Sequence, residues 1–192
     1  MSHRALHITG DEHADQVLTD DPFALLVGML LDQQYPMEHA FRGPAKILDR
    51  FGTLDPVAIA TADPEEFATM ASTPPAIHRY GRSMAGRVQA LAGIVVDTYG
   101  GQAERLWTEA SSGADLLGRM MALPGFGKQK AQIFVALLAK RLDVRPQGWE
   151  QAVGDYALDG YRSVADVTDP ASLQQVRDYK KAKKAAASAS RS

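Results

Sequence analysis

Apolar residues recur along this chain at the spacing of one face of an α-helix. The clearest run has apolar residues at i, i+3, i+4, i+7 and i+8, namely Phe23, Leu26, Val27, Leu30 and Leu31. Asp21 precedes the run as a helix cap and Pro22 occupies its first turn, so the sequence predicts a helix that begins there and lies at the centre of the fold. No segment alternates with a period of two over a useful length. The predicted fold class is therefore all-α.

Two further helical stripes flank a short turn that contains two glycines. The stripes consist of Leu116, Leu117, Met120 and Met121 before the turn, and of Ile133, Phe134, Leu137 and Leu138 after it. Pro124 ends the first helix, and Gly125 and Gly127 allow backbone angles that other residues avoid. The second helix is predicted to begin at about Gly127. Its free amides, beside Lys128 and Lys130, would then form a site for an anion such as phosphate. The alternative is a plain corner between two helices, which also needs glycine.

Charge is distributed unevenly along the chain, although the formal net charge is only −2. Residues 11–66 contain twelve acidic residues against three basic ones, whereas residues 119–145 and 171–192 each contain six basic residues against one acid. Basic charge therefore gathers around the glycine turn and at the C-terminus, where a phosphate-binding surface would need it. The alternative is an ordinary solvated surface with an uneven distribution.

Composition excludes several kinds of site. None of the 192 residues is a cysteine, which rules out disulfides, zinc–thiolate sites and a cysteine-bound iron–sulfur cluster. The five histidines do not fall at metal-binding spacings, so we expect neither a metal nor another cofactor. No apolar run is long enough to cross a membrane and the N-terminus has no signal-peptide pattern, so we expect a cytoplasmic protein.

The segment from Leu123 to Ala131, Leu-Pro-Gly-Phe-Gly-x-x-x-Ala, resembles the helix-hairpin-helix of the HhH-GPD superfamily of base-excision DNA glycosylases. The resemblance extends from about Asp11 to Trp149. It implies two helical lobes with a cleft between them, a hairpin at about 116–140, and a monomer whose partner is double-stranded DNA with a damaged base. It also implies that the hairpin binds DNA through Gly125, Phe126, Gly127, Lys128 and Lys130.

A second motif, Leu31-Asp32-Gln33-Gln34, resembles the glutamine-bearing corner of the same superfamily, especially of its alkyladenine-type branch. Pro36 biases Tyr35 away from helical angles, which places both glutamines at a helix end. The resemblance implies that Gln34, or Gln33 if the register of the corner is shifted, fills the gap left by a flipped base. An amide suits this role because it offers both donors and acceptors to an unpaired base. The alternative is an ordinary polar helix end.

The chain departs from the family pattern at two catalytic positions. The catalytic aspartate would begin the helix after the hairpin, where this chain has Gln147-Gly148-Trp149. Glu150 and Asp32 are the candidate replacements, with Glu38 as a further one. Bifunctional members also carry a nucleophilic lysine where this chain has Gln129. The lysines on either side lie about 100° round the helix from that position, so we interpret them as phosphate contacts.

Three functional hypotheses remain open from the sequence. The first is a monofunctional DNA N-glycosylase that removes a damaged, and by preference an alkylated, base. The second is a non-catalytic DNA-binding or lesion-recognition relative that has lost the aspartate. The third is a helical protein-interaction domain in which the hairpin is only a corner. Residues 1–179 are predicted to form the helical domain, and residues 180–192, which are basic and lack an apolar face, are predicted to be a disordered tail.

Overall fold

The computed structural model describes residues 4–191, and within this range the chain forms helices and no strand. The prediction of an all-α fold is confirmed. None of these helices is both long and apolar enough to cross a membrane. Two short 3₁₀ helices, Gly154–Ala157 and Val164–Asp166, accompany the α-helices. The α-helices are α1 (Glu12–Asp20), α2 (Pro22–Leu31), α3 (Met37–Ala40), α4 (Gly43–Phe51), α5 (Pro56–Thr61), α6 (Pro64–Ser72), α7 (Gly81–Tyr99), α8 (Arg105–Thr108), α9 (Gly113–Met121), α10 (Lys128–Leu142), α11 (Trp149–Val153) and α12 (Pro170–Ala189).

Helix α2 lies at the centre of the core, as its apolar pattern predicts. The Asp21 carboxylate caps it by accepting hydrogen bonds from the N–H groups of Phe23 and Ala24, at 2.8 and 3.3 Å. Every residue from Phe23 to Leu31 is buried, because this helix is apolar on all sides. Gly28 is required for close packing, since a Cβ atom at that position would collide with the ring of Phe41. Helix α2 ends at Leu31, and Asp32 is its C-cap.

Helix α10 is the second buried helix, and it carries the hairpin at its N-terminal end. Its residues from Phe134 to Ala139 are all buried. The hairpin connects α9 to α10 through the glycine turn, as predicted. Buried apolar residues form one continuous cluster that reaches from Leu6 to Val176. The further division into two lobes with a cleft stays a prediction.

The C-terminal segment differs from the expectation of a disordered tail. Helix α12 continues to Ala189, through most of residues 180–192. Alanine and lysine are strong helix formers, so this stretch can continue a helix that begins on the core without an apolar face of its own. Among the described residues of α12, only Ser172 and Val176, both in its first half, are buried. Beyond Lys180 every described residue is exposed.

Candidate nucleic-acid interface

The glycine turn leaves the N-terminal end of α10 open. Gly127 is the N-cap of α10, and no side chain caps this end by a hydrogen bond. A Cβ atom at Gly127 would meet nothing within 4 Å, so the space directly beside Gly127 is open. Gly125, Gly127 and Lys128 are exposed beside these amides. Free N–H groups at the positive end of a helix dipole, with an adjacent lysine, form a site suited to a phosphate.

Gly125 fixes the hairpin against the end of α2. Its φ of +79° lies in the left-handed region that favours glycine. A Cβ atom there would also stand 2.7 Å from the Cδ1 atom of buried Leu30. The turn therefore sits directly on the last turn of α2, and the two motifs that the sequence singled out are neighbours in space.

Two of the predicted DNA-binding side chains are turned into the protein. Phe126 is buried and packs edge-on against the ring of Phe134, with ring centroids 6.3 Å apart. It can contribute to phosphate binding through its backbone only. The Nζ atom of Lys130 donates hydrogen bonds to the carbonyl oxygens of Met29 and Leu30, at 2.9 and 3.1 Å. The prediction that Lys130 contacts phosphate therefore needs correction, because its ammonium group stabilises the carbonyl end of α2 instead.

The surroundings of Lys130 disfavour its charge. Burial lowers the pKa of Lys130 to about 8, and the nearby positive charges of Arg87 and Lys180 act in the same direction, whereas the Asp32 carboxylate opposes them. Lys128, two residues earlier, is exposed, and its side chain forms no hydrogen bond or ion pair with residues 4–191. Of the two lysines, Lys128 is the one available to a phosphate.

The glutamine corner follows α2 and separates its two glutamines into different environments. Gln33 is held from three sides, since its side chain donates to Leu30 O at 2.7 Å and accepts from Arg87 at 3.0 Å, while its backbone carbonyl accepts from His78 Nε2 at 2.9 Å. Gln34 is exposed and has a φ of +53°, a left-handed conformation that is uncommon outside glycine. Its side chain is the one at this corner that remains free to enter a duplex.

His78 supports the corner in one defined tautomer. The backbone N–H of Tyr80 donates to His78 Nδ1 at 3.0 Å, so Nε2 carries the proton that is donated to Gln33 O. Burial lowers the pKa of His78, which favours this neutral form. The ring also packs against Tyr35, at a centroid distance of 4.8 Å. His78 is thus a buried structural residue that holds the backbone of the corner in place.

Asp32 lies at the junction of the corner and the hairpin. Burial raises its pKa, the nearby ammonium groups of Lys180 and Lys130 partly offset that rise, and Glu38 adds to it. Lys180 Nζ lies 3.9 Å from the carboxylate of Asp32, and Arg177 lies 3.1 Å from that of Glu38. The other oxygen of Glu38, Oε2, is buried without a hydrogen-bond partner in the described part of the chain. The corner thus holds two carboxylates that are largely withdrawn from water.

Gln129, at the position of the family's nucleophilic lysine, donates from its side-chain amide to the hydroxyl of Tyr156 at 2.9 Å. Tyr156 belongs to the 3₁₀ helix that follows α11, and Lys183 of α12 lies 6.0 Å from the centre of its ring. Gln129 itself is exposed. This side of the hairpin is therefore lined by an amide, a phenol and an ammonium group, and the neighbouring residue Asp155 brings an exposed carboxylate.

The segment expected to hold the catalytic aspartate has a structural role. The carbonyl oxygen of Gln147 accepts a hydrogen bond from Gly113 N–H at 2.8 Å, and Gly148 has a φ of +80°. A Cβ atom at Gly113 would stand 2.5 Å from the backbone of Trp149, so this segment packs tightly on the start of α9. Glu150 is exposed on α11 and makes no side-chain hydrogen bond or ion pair with any described residue.

Sequence patterns did not identify Tyr156, Asp155 or Lys180 as site residues. Gln129 and Tyr156 are 27 positions apart, and the Arg87–Gln33 pair is 54 positions apart. Neither pair belongs to a recognisable motif, and the type of a side chain does not predict which distant residue it will contact. Only the packing of the 3₁₀ helix Gly154–Ala157 against α10, and the course of α12 past Asp32 and Tyr156, bring these residues to the site.

Comparison with known proteins adds one finding. The family model described as HhH-GPD superfamily base excision DNA repair protein matches residues 27–190 of this chain. Neither a curated protein nor a solved structure matches it significantly. The matched range contains the glutamine corner, the hairpin and all of α12.

Proposed function

The chain belongs to the HhH-GPD superfamily of base excision DNA repair proteins, and from this membership we propose that it is a monofunctional DNA N-glycosylase. It acts as a monomer on duplex DNA and removes an alkylated base. The observation that carries the proposal is the open first turn of α10, which adjoins the glutamine corner and has Gln129 in place of a lysine. Members of this superfamily are generally DNA glycosylases.

DNA binding is assigned to the hairpin amides and Lys128. The uncapped N–H groups of α10 bind one phosphate of the backbone, and the exposed ammonium group of Lys128 adds a charge contact. Such contacts position the duplex without selecting its sequence. Their strength should depend steeply on salt, because each neutralised phosphate releases counterions.

Lesion recognition is assigned to Gln34. The damaged base leaves the stack, and the exposed amide of Gln34 enters the space and satisfies the unpaired base of the opposite strand. The positive φ of Gln34 supports this role, since strained conformations of non-glycine residues often mark functional sites. Gln33 supports the corner from behind through its three hydrogen bonds.

The proposed chemistry is hydrolysis of the N-glycosidic bond. Water attacks the sugar carbon, the bond to the base breaks and its electrons leave with the base, while the attacking water keeps one hydrogen as the new sugar hydroxyl and releases a proton to solvent. An N-alkylated purine carries a positive charge that is neutralised on departure, so it needs less assistance than a neutral base. Gln129 has no nucleophilic amine, so no covalent protein–DNA intermediate forms at this position.

Asp32 is the carboxylate that we place ahead of Glu150 for stabilising the developing positive charge on the sugar. Asp32 lies beside the hairpin, within the electrostatic reach of Lys130, whereas Glu150 stands exposed on α11 without side-chain contacts to the described residues. A carboxylate held in surroundings of low dielectric interacts more strongly with a cationic sugar than one in water. Asp155, next to Tyr156, is a further candidate that the structure brings forward.

The test is incubation of the protein with duplexes that each carry one alkylated, oxidised or deaminated base. We expect abasic sites only in alkylated duplexes, detected as strand breaks after alkali, and no adduct after borohydride reduction. Asp32→Asn should abolish base release while leaving binding intact, whereas Glu150→Gln and Asp155→Asn, which test the two other candidate carboxylates, should release the base as the parent does. Equal release by the Asp32→Asn variant would contradict the assignment of this carboxylate.

A non-catalytic lesion-recognition protein is the second candidate function. The observation that favours it is the segment 147–149, which has no acid and is committed to packing on α9. In that case the protein should bind a damaged duplex more tightly than an intact one without releasing any base of the panel. Base release from a single substrate would exclude this alternative.

A further inference from the structure

Helix α12 leaves the core and continues past the candidate site. Its first half is anchored by Ser172 and Val176, which are buried. From Lys180 onward the described part of the helix has no buried residue, and the last acid along the chain is Asp178. The second half thus carries several basic residues and no acidic residue of its own.

Three basic residues on α12, each three positions apart, attach it to three different elements. Arg177 pairs with Glu38 of α3 at 3.1 Å, and Lys180 lies 3.9 Å from Asp32 after α2. Lys183 lies over the ring of Tyr156 at 6.0 Å, and Tyr156 in turn accepts a hydrogen bond from Gln129 of α10. The helix therefore passes from the glutamine corner to the first turn of the hairpin helix.

Lys181 and Lys184 lie on the same broad side of α12 but remain unpaired. At about 100° per residue, Arg177, Lys180, Lys181, Lys183 and Lys184 fall within an arc of about 160°. Lys181 and Lys184 are exposed, and their side chains make no hydrogen bond or ion pair with any residue from 4 to 191. Like charges three and four residues apart on a helix destabilise it. An anionic partner along this side would remove that repulsion.

We propose that α12 is a second DNA-backbone-binding element, in which Lys181 and Lys184 contact phosphates next to those bound by the hairpin. This inference rests on the proposed function, because it takes duplex DNA as the partner. Arg177, Lys180 and Lys183 hold the helix on the protein, and Lys181 and Lys184 extend the phosphate-binding surface from the hairpin along α12. Charge and position together favour DNA as the partner, since the exposed part of the helix begins near the corner, at Lys180, and passes Tyr156, the hydrogen-bond partner of Gln129.

The experiment compares two double variants of the full chain that lower its charge equally. Lys181→Gln/Lys184→Gln removes two positive charges from the basic side. Ala182→Glu/Ala186→Glu adds two negative charges to exposed positions on the opposite side of the same helix. Binding to an undamaged, fluorescently labelled duplex is measured by anisotropy from low to high salt, and circular dichroism checks that both variants keep the helical content of the parent.

We expect the lysine variant to lower the slope of log affinity against log salt concentration by about 1.8, which is about 0.9 for each lost phosphate contact. If the affinities converge at about 1 M salt, that change corresponds to a loss of roughly sixtyfold at about 0.1 M. The alanine control should keep the slope of the parent. An unchanged slope in the lysine variant, or an equal loss in the control, would overturn the inference.

Failure of the inference and failure of the proposed function give different results. If Lys128→Gln weakens binding and Lys181→Gln/Lys184→Gln does not, the hairpin binds DNA and α12 has no part in it. If the parent protein does not bind duplex DNA at all, the proposed function fails and the inference fails with it.

Discussion

Replacing Lys130 with methionine tests whether this lysine stabilises the protein rather than binding phosphate. Methionine keeps most of the side-chain volume but has no charge and no N–H donor. The two carbonyl groups that lose Lys130 keep another donor each. Met29 O accepts from Asp32 N–H at 3.2 Å, and Leu30 O accepts from the Gln33 amide at 2.7 Å. At neutral pH the free energy of unfolding should therefore change by no more than about 1 kcal/mol.

The decisive quantity is how the difference in free energy of unfolding between the parent and Lys130→Met changes with pH. Burial lowers the pKa of Lys130 from 10.5 to about 8 in the folded protein. Between these values the unfolded chain retains a proton that the folded protein has released, so raising the pH stabilises the parent relative to the variant. The full shift corresponds to an upper value of about 3 kcal/mol, and partial exposure of the side chain reduces it to about 1–2 kcal/mol. The gain begins near pH 8 and is complete near pH 10.5.

The assay is urea unfolding of the parent and of Lys130→Met at several pH values between about 7 and about 10.5, the range that spans both pKa values. Titrating groups remote from Lys130 contribute equally to both proteins and cancel in the difference. Lys128→Met is the matched control, since that exposed side chain is in water in the folded and unfolded states and should add no slope. A constant difference between parent and Lys130→Met over this range would refute the buried position of the lysine. If Lys130→Met loses as much DNA affinity as Lys128→Met, the original prediction that Lys130 contacts phosphate would be supported.

Three further predictions concern the hairpin and the corner. Lys128→Glu should weaken binding to all duplexes alike and lower the salt slope by at least about one, measured by anisotropy, whereas a sequence-dependent loss would contradict a phosphate contact. Gln34→Ala should remove the preference for damaged over intact duplex with little change in affinity for the intact one, and equal losses on both would mean that Gln34 only maintains the corner. Gly125→Ala should lower the free energy of unfolding by about 2–4 kcal/mol in urea titrations, because of its positive φ and the 2.7 Å approach to Leu30; parent-like stability would contradict the geometry of the turn.

The sequence alone determined the helical elements and the place of the central helix. The apolar stripe from Phe23 to Leu31, with Asp21 as its cap, specifies α2 because periodicity and capping depend on residues within a few positions of one another. The glycine turn could be located for the same reason, since Pro124 and Gly125 act on the local backbone. Such signals are contained in one short segment and need no knowledge of the partner surface.

Tertiary structure alone decided which of two neighbouring lysines has an exposed, unpaired side chain. Lys128 and Lys130 are indistinguishable as residue types, yet one points into solvent and the other reaches the end of α2, about a hundred positions earlier in the chain. The same holds for Asp32 and Lys180, because the position of α12 in the fold determines that these two side chains lie near each other. Periodicity states that a helix has a buried face but does not identify the surface that buries it. The identity of each contact, and with it the charge and exposure of each functional side chain, depends on the packing of helices that lie far apart in the sequence.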